Sequence, residues 1–409
     1  MTSVLNDIHV LEIGSDLGAW CGKLLADMGA TVTKIEPLSG DPMRSYAPFY
    51  KDIPNKNSSL YFWHYNTNKR SVTLDLEMEE GRELFRRLIS KADVVIDSLP
   101  PGQLTNYDLG YTSLSKINSA IILASLSPFG QSLPYSDNQA TALNALAFGG
   151  SAWSCGYDDH SLPPIRGPLQ GYQTASHFAY MSALTALLHR GVSGEGQFID
   201  VSMTAASNVS TEAATYSWLV AQKTVQRQTG RHASVSPSGE TQQLCADGRY
   251  ANTGVPPRFP HEYKALYEWL KSLGLEDRLP EAVFLEMGAE WEGPFDLSLI
   301  GQDDAITAIF GAGRAALQLI ASSVSAQDFF LGCQGVGLSV GPVNSPEEAF
   351  EDEHFKARGF HVQVDHDEIE RTITYPGAPY RFEKTPWSIY RRAPTLNEHN
   401  DEVLAELDP

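Results

Sequence analysis

Cysteine is scarce in this sequence and never paired. Cys21, Cys155, Cys245 and Cys333 stand far apart, with no CxxC among them. That argues against a disulfide framework or a zinc site and fits a reducing, cytoplasmic setting. Positive charge is scarce too: 30 lysines and arginines face 50 acidic residues in 409, a net charge of −20. Such a field excludes general nucleic-acid binding, because it repels phosphates at long range. It leaves room for a local pocket that takes an anionic ligand. No apolar run approaches the ~18 residues of a membrane span, and the opening MTSVLNDIHVLEIG lacks the basic and apolar regions of a signal peptide. The nucleotide and metal signatures are missing as well. The stretch around Gly14 and Gly18 does not spell GxGxxG, and neither GxxxxGK[ST] nor HExxH occurs. No metal, nucleic acid or membrane is expected as a partner.

What is present is an alternation of strands and helices. HVLEI (9–13) is a short apolar run ending at a glycine. LGAWCGKLLADMGA then carries Leu17, Trp20, Cys21, Leu24, Leu25 and Met28 at helical spacing and stops at Gly29. TVTKIE follows, completing a βαβ unit with a parallel sheet. EEGRELFRRLISKA (79–92) is an amphipathic helix; DVVIDSL and AIILASLS are strands of the continuous apolar kind that helices cover on both faces. The fold class is α/β: a large, doubly wound, Rossmann-like lobe plus a smaller α/β lobe. The boundaries expected are 1–222 for the large lobe, 223–328 for the small lobe, and 329–409 for a C-terminal segment that returns to the large one. A single helical run is expected from about Met203 to Ala221.

Several motifs carry more than one meaning. NTNKRS (66–71) sets two adjacent cations, Lys69 and Arg70, between apolar stretches. A phosphate site is one reading; an exposed basic turn is the other, and composition favours it. GPVNSPEEAF (341–350) reads as a turn and a helix, with Ser345 as cap, Pro346 at the first position and Glu348 three after the cap. Asp158 and Asp159 form a pair of the kind that 50 acidic residues produce by chance. His177 lies in the long helical run that PLQGYQTASH opens, where a lone histidine is more often packed than catalytic.

Longer stretches carry a family likeness: VLEIGSDLGAWCGKLLADMGATVTKIEP, FWHYNTNKRSVTLDLEMEEGRELFRRLISKADVVIDSLPPGQLTNYDLGY, ASLSPFGQSLPY, LLHRGVSGEGQFIDVSM, GVGLSVGPVNSPEEAFEDEHFKARGF and YPGAPYRFEKTPW with LNEHNDEVL. In order and over nearly the whole chain, they resemble the class III CoA-transferases, the group that includes formyl-CoA transferase, carnitine CoA-transferases and α-methylacyl-CoA racemase. The resemblance implies an interlocked dimer, with coenzyme A at the strand ends of the large lobe. By position, Asp16 and Leu17, Lys69, and Ser98 and Leu99 would line the coenzyme A site, with Lys69 on a phosphate. Family members often have Gln at Asp16 and Asn-Phe at Ser98-Leu99. An acidic Asp16 beside a nucleotide needs a hydrogen-bond donor.

The resemblance also says what is missing. Transferases of this family attack the thioester with an aspartate just before the helix that here reads AYMSALTALLHR. Tyr172 takes its place, and no Asp or Glu lies between Gly167 and Gly194. A phenol with an ordinary pKa near 10 is a poor nucleophile at neutral pH. The racemases use a His-Asp pair where Thr141 and Ala142 stand, and no histidine occurs between Gln131 and Asp159. The chain is accordingly read as the non-nucleophilic subunit of a heteromeric CoA-transferase, resembling the aspartate-lacking subunit of succinyl-CoA:benzylsuccinate CoA-transferase. Its substrates would be an acyl-CoA and a carboxylic acid. Its partner would be an aspartate-bearing homologous subunit in a heterodimer or heterotetramer, or otherwise a second copy in a homodimer. Two alternatives stand: an independent acyl-CoA lyase, hydrolase or isomerase working through Tyr172, His177 or other residues, and a non-enzymatic coenzyme A-binding protein.

Overall fold

The computed structural model describes residues 3–132, 134–154, 169–211, 214–228, 233–235, 239–254, 256–292, 295–296 and 299–407. Cys155 and the Asp158–Asp159 pair lie outside them. The chain divides into two compact units. One comprises Met1–Cys155, Leu162–Lys223 and Glu353–Pro409; the second includes Thr224–Asp352.

The large unit is built on six strands: β1 (His9–Ile13), β2 (Thr31–Glu36), β3 (Arg70–Thr73), β4 (Val94–Asp97), β5 (Ile122–Ser127) and β6 (Phe198–Ser202). Their order is β3-β2-β1-β4-β5-β6, and every pairing is parallel. The order reverses at β1, whose neighbours are β2 on one side and β4 on the other. Such a switch point opens a crevice at the carboxyl ends of the strands. The unit's helices include α1 (Asp16–Asp27), α2 (Leu60–Tyr65), α3 (Glu79–Ile89), α4 (Gln103–Asn106), α5 (Tyr111–Ile117), α6 (Ala142–Phe148) and α7 (Gln170–Ser193). One face of the sheet packs Val10, Val32, Val94, Ile96 and Ile122 against α1 and α7. The other packs Leu11, Ile35, Val72, Val95 and Leu123 with Phe85, Leu88 and Ile89 of α3. That two-faced burial explains the continuous apolar strands.

Charges are buried among these apolar layers. Lys34 Nζ lies 2.8 Å from Glu12 Oε1 and 2.6 Å from Asp41 Oδ2. Lys69 Nζ lies 2.7 Å from Glu12 Oε2. Arg44 donates to both oxygens of Glu36, each at 2.7 Å, and Lys23 pairs with Asp27 at 2.8 Å. Gly22 of α1 is what lets Glu12 sit there. A β-carbon at Gly22 would come within 1.8 Å of Glu12 Oε2, and two lysines hold that carboxylate in place. Gly22→Ala is therefore expected to lower unfolding stability by about 1–3 kcal/mol, the scale of overpacking, read from a urea titration; an unshifted midpoint would show that Glu12 can move.

The return segment finishes this unit. The hairpin His361–His366 with Arg371–Pro376 packs Val364 and Tyr375 against Phe62 and Trp63 of α2. Beyond it, residues 397–400 cover the free edge of β3. Asn397 and His399 donate from their backbones to Ser71, and the Asn400 side chain accepts from Thr73 N at 2.9 Å. The edge is thereby closed to foreign strands.

The small unit holds a three-stranded antiparallel sheet, Gln242–Leu244, Tyr250–Thr253 and Val340–Pro342, and a core of Tyr263, Leu266, Leu270, Ile309, Leu317 and Phe329. Its helix Asp304–Ala321 alone among the described helices is long and apolar enough to cross a membrane. It turns Ile306, Ile309, Leu317 and Ile320 into this core. Because Val340–Pro342 pairs with Tyr250–Thr253, the small unit extends to Asp352 rather than to 328. The run 203–221 is two helices, Met203–Val209 and Ala214–Ala221, rather than one. Ser345 caps its helix as read, with Glu348 reciprocating.

Candidate active site

The crevice at the switch point is a cavity of about 550 Å³. Its walls are the loops after β1, β2, β3 and β4, including Ser15, Leu38, Asp75, Ser98 and Leu99. Gly14 makes the first loop possible. Its φ is +99°, and a β-carbon there would lie 2.3 Å from Ser98 Oγ. Ser98 ties the loops together, donating from its backbone to Ile13 O at 2.9 Å and accepting from Ser15 N at 3.0 Å.

Ser98 and Leu99 line the cavity. Leu17 does not: α1 turns the chain inward, and Leu17 joins the apolar cluster beneath the sheet. Lys69 is also corrected. Its ammonium is fully buried. Besides the Glu12 ion pair it donates to Ala19 O at 2.9 Å and Asn66 Oδ1 at 3.0 Å. Three protons serve three internal acceptors, so none faces a phosphate. Burial pushes this ammonium down to about 8. The exposed-turn reading fails equally, since Arg70 begins β3 and is itself buried.

Among the described residues, the cavity wall carries Glu36, Asp75 and Glu77 and no lysine or arginine. Glu36 is neutralised by Arg44, but the other two would oppose a polyanion. Glu77→Lys is expected to tighten coenzyme A binding two- to five-fold at low salt, from ~0.3–1 kcal/mol of exposed electrostatics. Calorimetric titration checks it; weaker binding would move the phosphates away from this wall.

Asp16 follows Ser15 and starts α1. Its Oδ2 accepts from the Tyr46 hydroxyl at 3.1 Å, the donor its position called for. Its carboxyl is pushed up to about 6, chiefly by burial and further by Asp41; Tyr46 and Lys34 oppose the shift. Tyr172 sits in the first turn of α7. Burial and the Asp16 charge raise its phenol above the ordinary value, against a backbone hydrogen bond from Ala142. The starts of α1 and α7 are joined where Ser176 Oγ donates to Leu17 O at 2.6 Å. Gly171 permits the approach of α6, since a β-carbon there would meet Ala142 O at 2.8 Å.

Tyr46, Tyr61 and Tyr65 complete this neighbourhood. Tyr61 stands 5.4 Å from Tyr46 and 4.8 Å from Tyr65, ring to ring, and Tyr65 accepts from Gln173 Nε2 at 3.0 Å. All three phenols are raised, mainly by burial. Sequence reasoning missed them, although SYAPFYKDIPNKNSSLYFWHY is dense in aromatics. His177 accepts from Trp20 Nε1 at 3.1 Å through Nε2; burial lowers its pKa, against a backbone hydrogen bond with Gln173. Thr141 caps α6 and Ala142 is buried; neither can move a proton from carbon. Among the described residues, no group of three His, Cys, Asp or Glu could hold a metal ion.

The model of "CoA-transferase family III" matches residues 5–400. Subunit BbsE of succinyl-CoA:(R)-benzylsuccinate CoA-transferase from Thauera aromatica is 30% identical over 399 residues, covering 97% of this chain and 93% of that protein. The succinyl-CoA–D-citramalate CoA-transferase of Chloroflexus aurantiacus is also 30% identical, covering 98% of this chain and 94% of that one. Among solved structures, a CaiB/BaiF family protein from Brucella suis superposes with a TM-score of 0.79 at 26% identity, over all of both chains.

Proposed function

The chain belongs to CoA-transferase family III, and from that premise we propose that it is the non-nucleophilic subunit of a heteromeric acyl-CoA:carboxylate CoA-transferase of the cytoplasm. The carrying observation is Tyr172, a half-buried phenol raised above its ordinary pKa, at the place where the family resemblance puts an aspartate. A neutral phenol does not displace a thiolate from a thioester. Coenzyme A lies in the cavity at the strand ends, against Ser98 and Leu99, with Asp16 next in the chain to the lining residue Ser15.

The nucleophile then comes from a homologous chain that keeps the aspartate. Relatives support a two-chain enzyme: BbsE is named as a subunit, and the succinyl-CoA–L-malate CoA-transferase of Chloroflexus aurantiacus has an alpha and a beta subunit, both similar to this chain. Apolar surface is available for such a partner. Leu188 and Val192 on α7 are exposed, as are Trp218, Leu219 and Val220 on the helix Ala214–Ala221, which buries none of its residues. An interlocked dimer would cover them.

The test is to co-purify the chain with an aspartate-bearing homologue, supply succinyl-CoA, and trap the covalent intermediate with hydroxylamine or borohydride. Peptide mass spectrometry is expected to place the label on the partner alone. Label on a peptide of this chain would overturn the reading.

A further inference from the structure

We propose that Asp16 is the general base of an acyl-CoA hydrolase activity that this chain carries by itself, separate from transfer. The proposal rests on the reading that an acyl-CoA binds at the strand ends, and adds a reaction to it.

The geometry is that of one carboxylate among phenols. Oδ2 of Asp16 accepts from Tyr46. Oδ1 is shielded from solvent and has no hydrogen-bond partner among the described residues. The Asp16 charge reaches Tyr46, Tyr61, Tyr65 and Tyr172, and the remaining charges that act on it are Asp41 and Lys34. Ser15, the preceding residue, lines the cavity; in this proposal the thioester passes from that cavity to this neighbouring carboxyl. Tyr172, in the first turn of α7, feels its charge, and the starts of α1 and α7 are joined by the Ser176–Leu17 hydrogen bond. A carboxylate with an unused lone pair accepts a proton; neutral phenols donate hydrogen bonds to an oxyanion.

The step balances without a further reagent. A water oxygen bonds to the thioester carbon while Oδ1 of Asp16 takes one of its protons. The carbonyl electron pair moves onto oxygen, where the phenols stabilise it. Collapse breaks the carbon–sulfur bond, and the proton held by Asp16 passes to the departing thiolate. The products are a carboxylic acid and the coenzyme A thiol; Asp16 is regenerated and no covalent enzyme species forms.

The test uses the full chain and succinyl-CoA, with no acceptor acid, in oxygen-18 water. Binding is titrated first: a chain that does not bind succinyl-CoA removes both this proposal and its premise, whereas binding without thiol release removes the proposal alone. The expected result is release of thiol with oxygen-18 in succinate and none in the protein. Asp16→Asn should still bind succinyl-CoA and hydrolyse it about 10²–10⁴-fold more slowly. The rate should rise with pH through a midpoint near 6. Tyr46→Phe should move that midpoint upward, because the lost hydrogen bond had favoured the charged carboxylate. A merely structural Asp16 would not give that shift, and Tyr46→Phe decides the matter if Asp16→Asn does not fold. An unchanged rate in Asp16→Asn, an unmoved midpoint, or oxygen-18 in Asp16 would overturn the proposal.

Discussion

A Tyr172→Asp chain, incubated alone with succinyl-CoA and a panel of carboxylic acids, is expected to give no exchanged thioester, with turnover at least ~10³-fold below the ~1–10³ per second of ordinary enzymes. A carboxylate at 172 is necessary for the family's chemistry but insufficient here. It would stand in the field of Asp16, whose charge already raises the phenol. Like charges brought together in a half-buried site push one another toward the protonated form, which is no nucleophile. The surroundings are fitted to the phenol as well: Ala142 N donates to it, and Gln173 is engaged by Tyr65. A nucleophile must be held about 3–3.5 Å from the carbonyl carbon, and a carboxylate, shorter than the phenol, would stand back from the place the phenolic oxygen occupies. Chromatography of the coenzyme A esters measures the outcome. Exchange at an ordinary enzymatic rate would show that the site lost only its nucleophile and would remove the main support for a partner chain.

Lys34→Met should destabilise the large unit by about 3–5 kcal/mol. Lys34 is fully buried and bridges Glu12 and Asp41. Methionine fills much the same volume but returns neither charge. Glu12 keeps Lys69; Asp41 keeps only neutral donors, from Met43 N at 2.7 Å and Ser15 Oγ at 2.8 Å. The loss would remove about a fifth or more of a typical domain stability of ~5–15 kcal/mol. Equilibrium urea unfolding checks it. A change below ~1 kcal/mol would mean that water reaches the network.

The βαβ opening, the apolar strands and the Ser345 capping box were legible because each is a local pattern. What escaped were pairings over long distances. NTNKRS looked like a surface turn since lysine and arginine are seldom buried. In the fold, Lys69 meets Glu12, and Arg70 begins a strand and reaches Glu402 and Glu406. Those partners lie far off in the sequence, and no window around Lys69 contains them. The end of the small unit was misplaced for the same reason, since Val340–Pro342 finds its mate at Tyr250–Thr253. At the site, the residue types at 16 and 172 could be read one by one. Their shared neighbourhood, with tyrosines from the 46–65 stretch, depends on α1, α2 and α7 converging.

The closing of the β3 edge by residues 397–400 bears on how the protein is made. Translation delivers β1, β2 and β3 early, and the ribosome must add the whole small unit before Asn397 and Asn400 emerge. Until then the growing chain holds out a strand with unmet backbone donors. During that interval the nascent lobe is open to mispairing with neighbouring chains on the same message, and it is a natural client for a chaperone that shields strand edges.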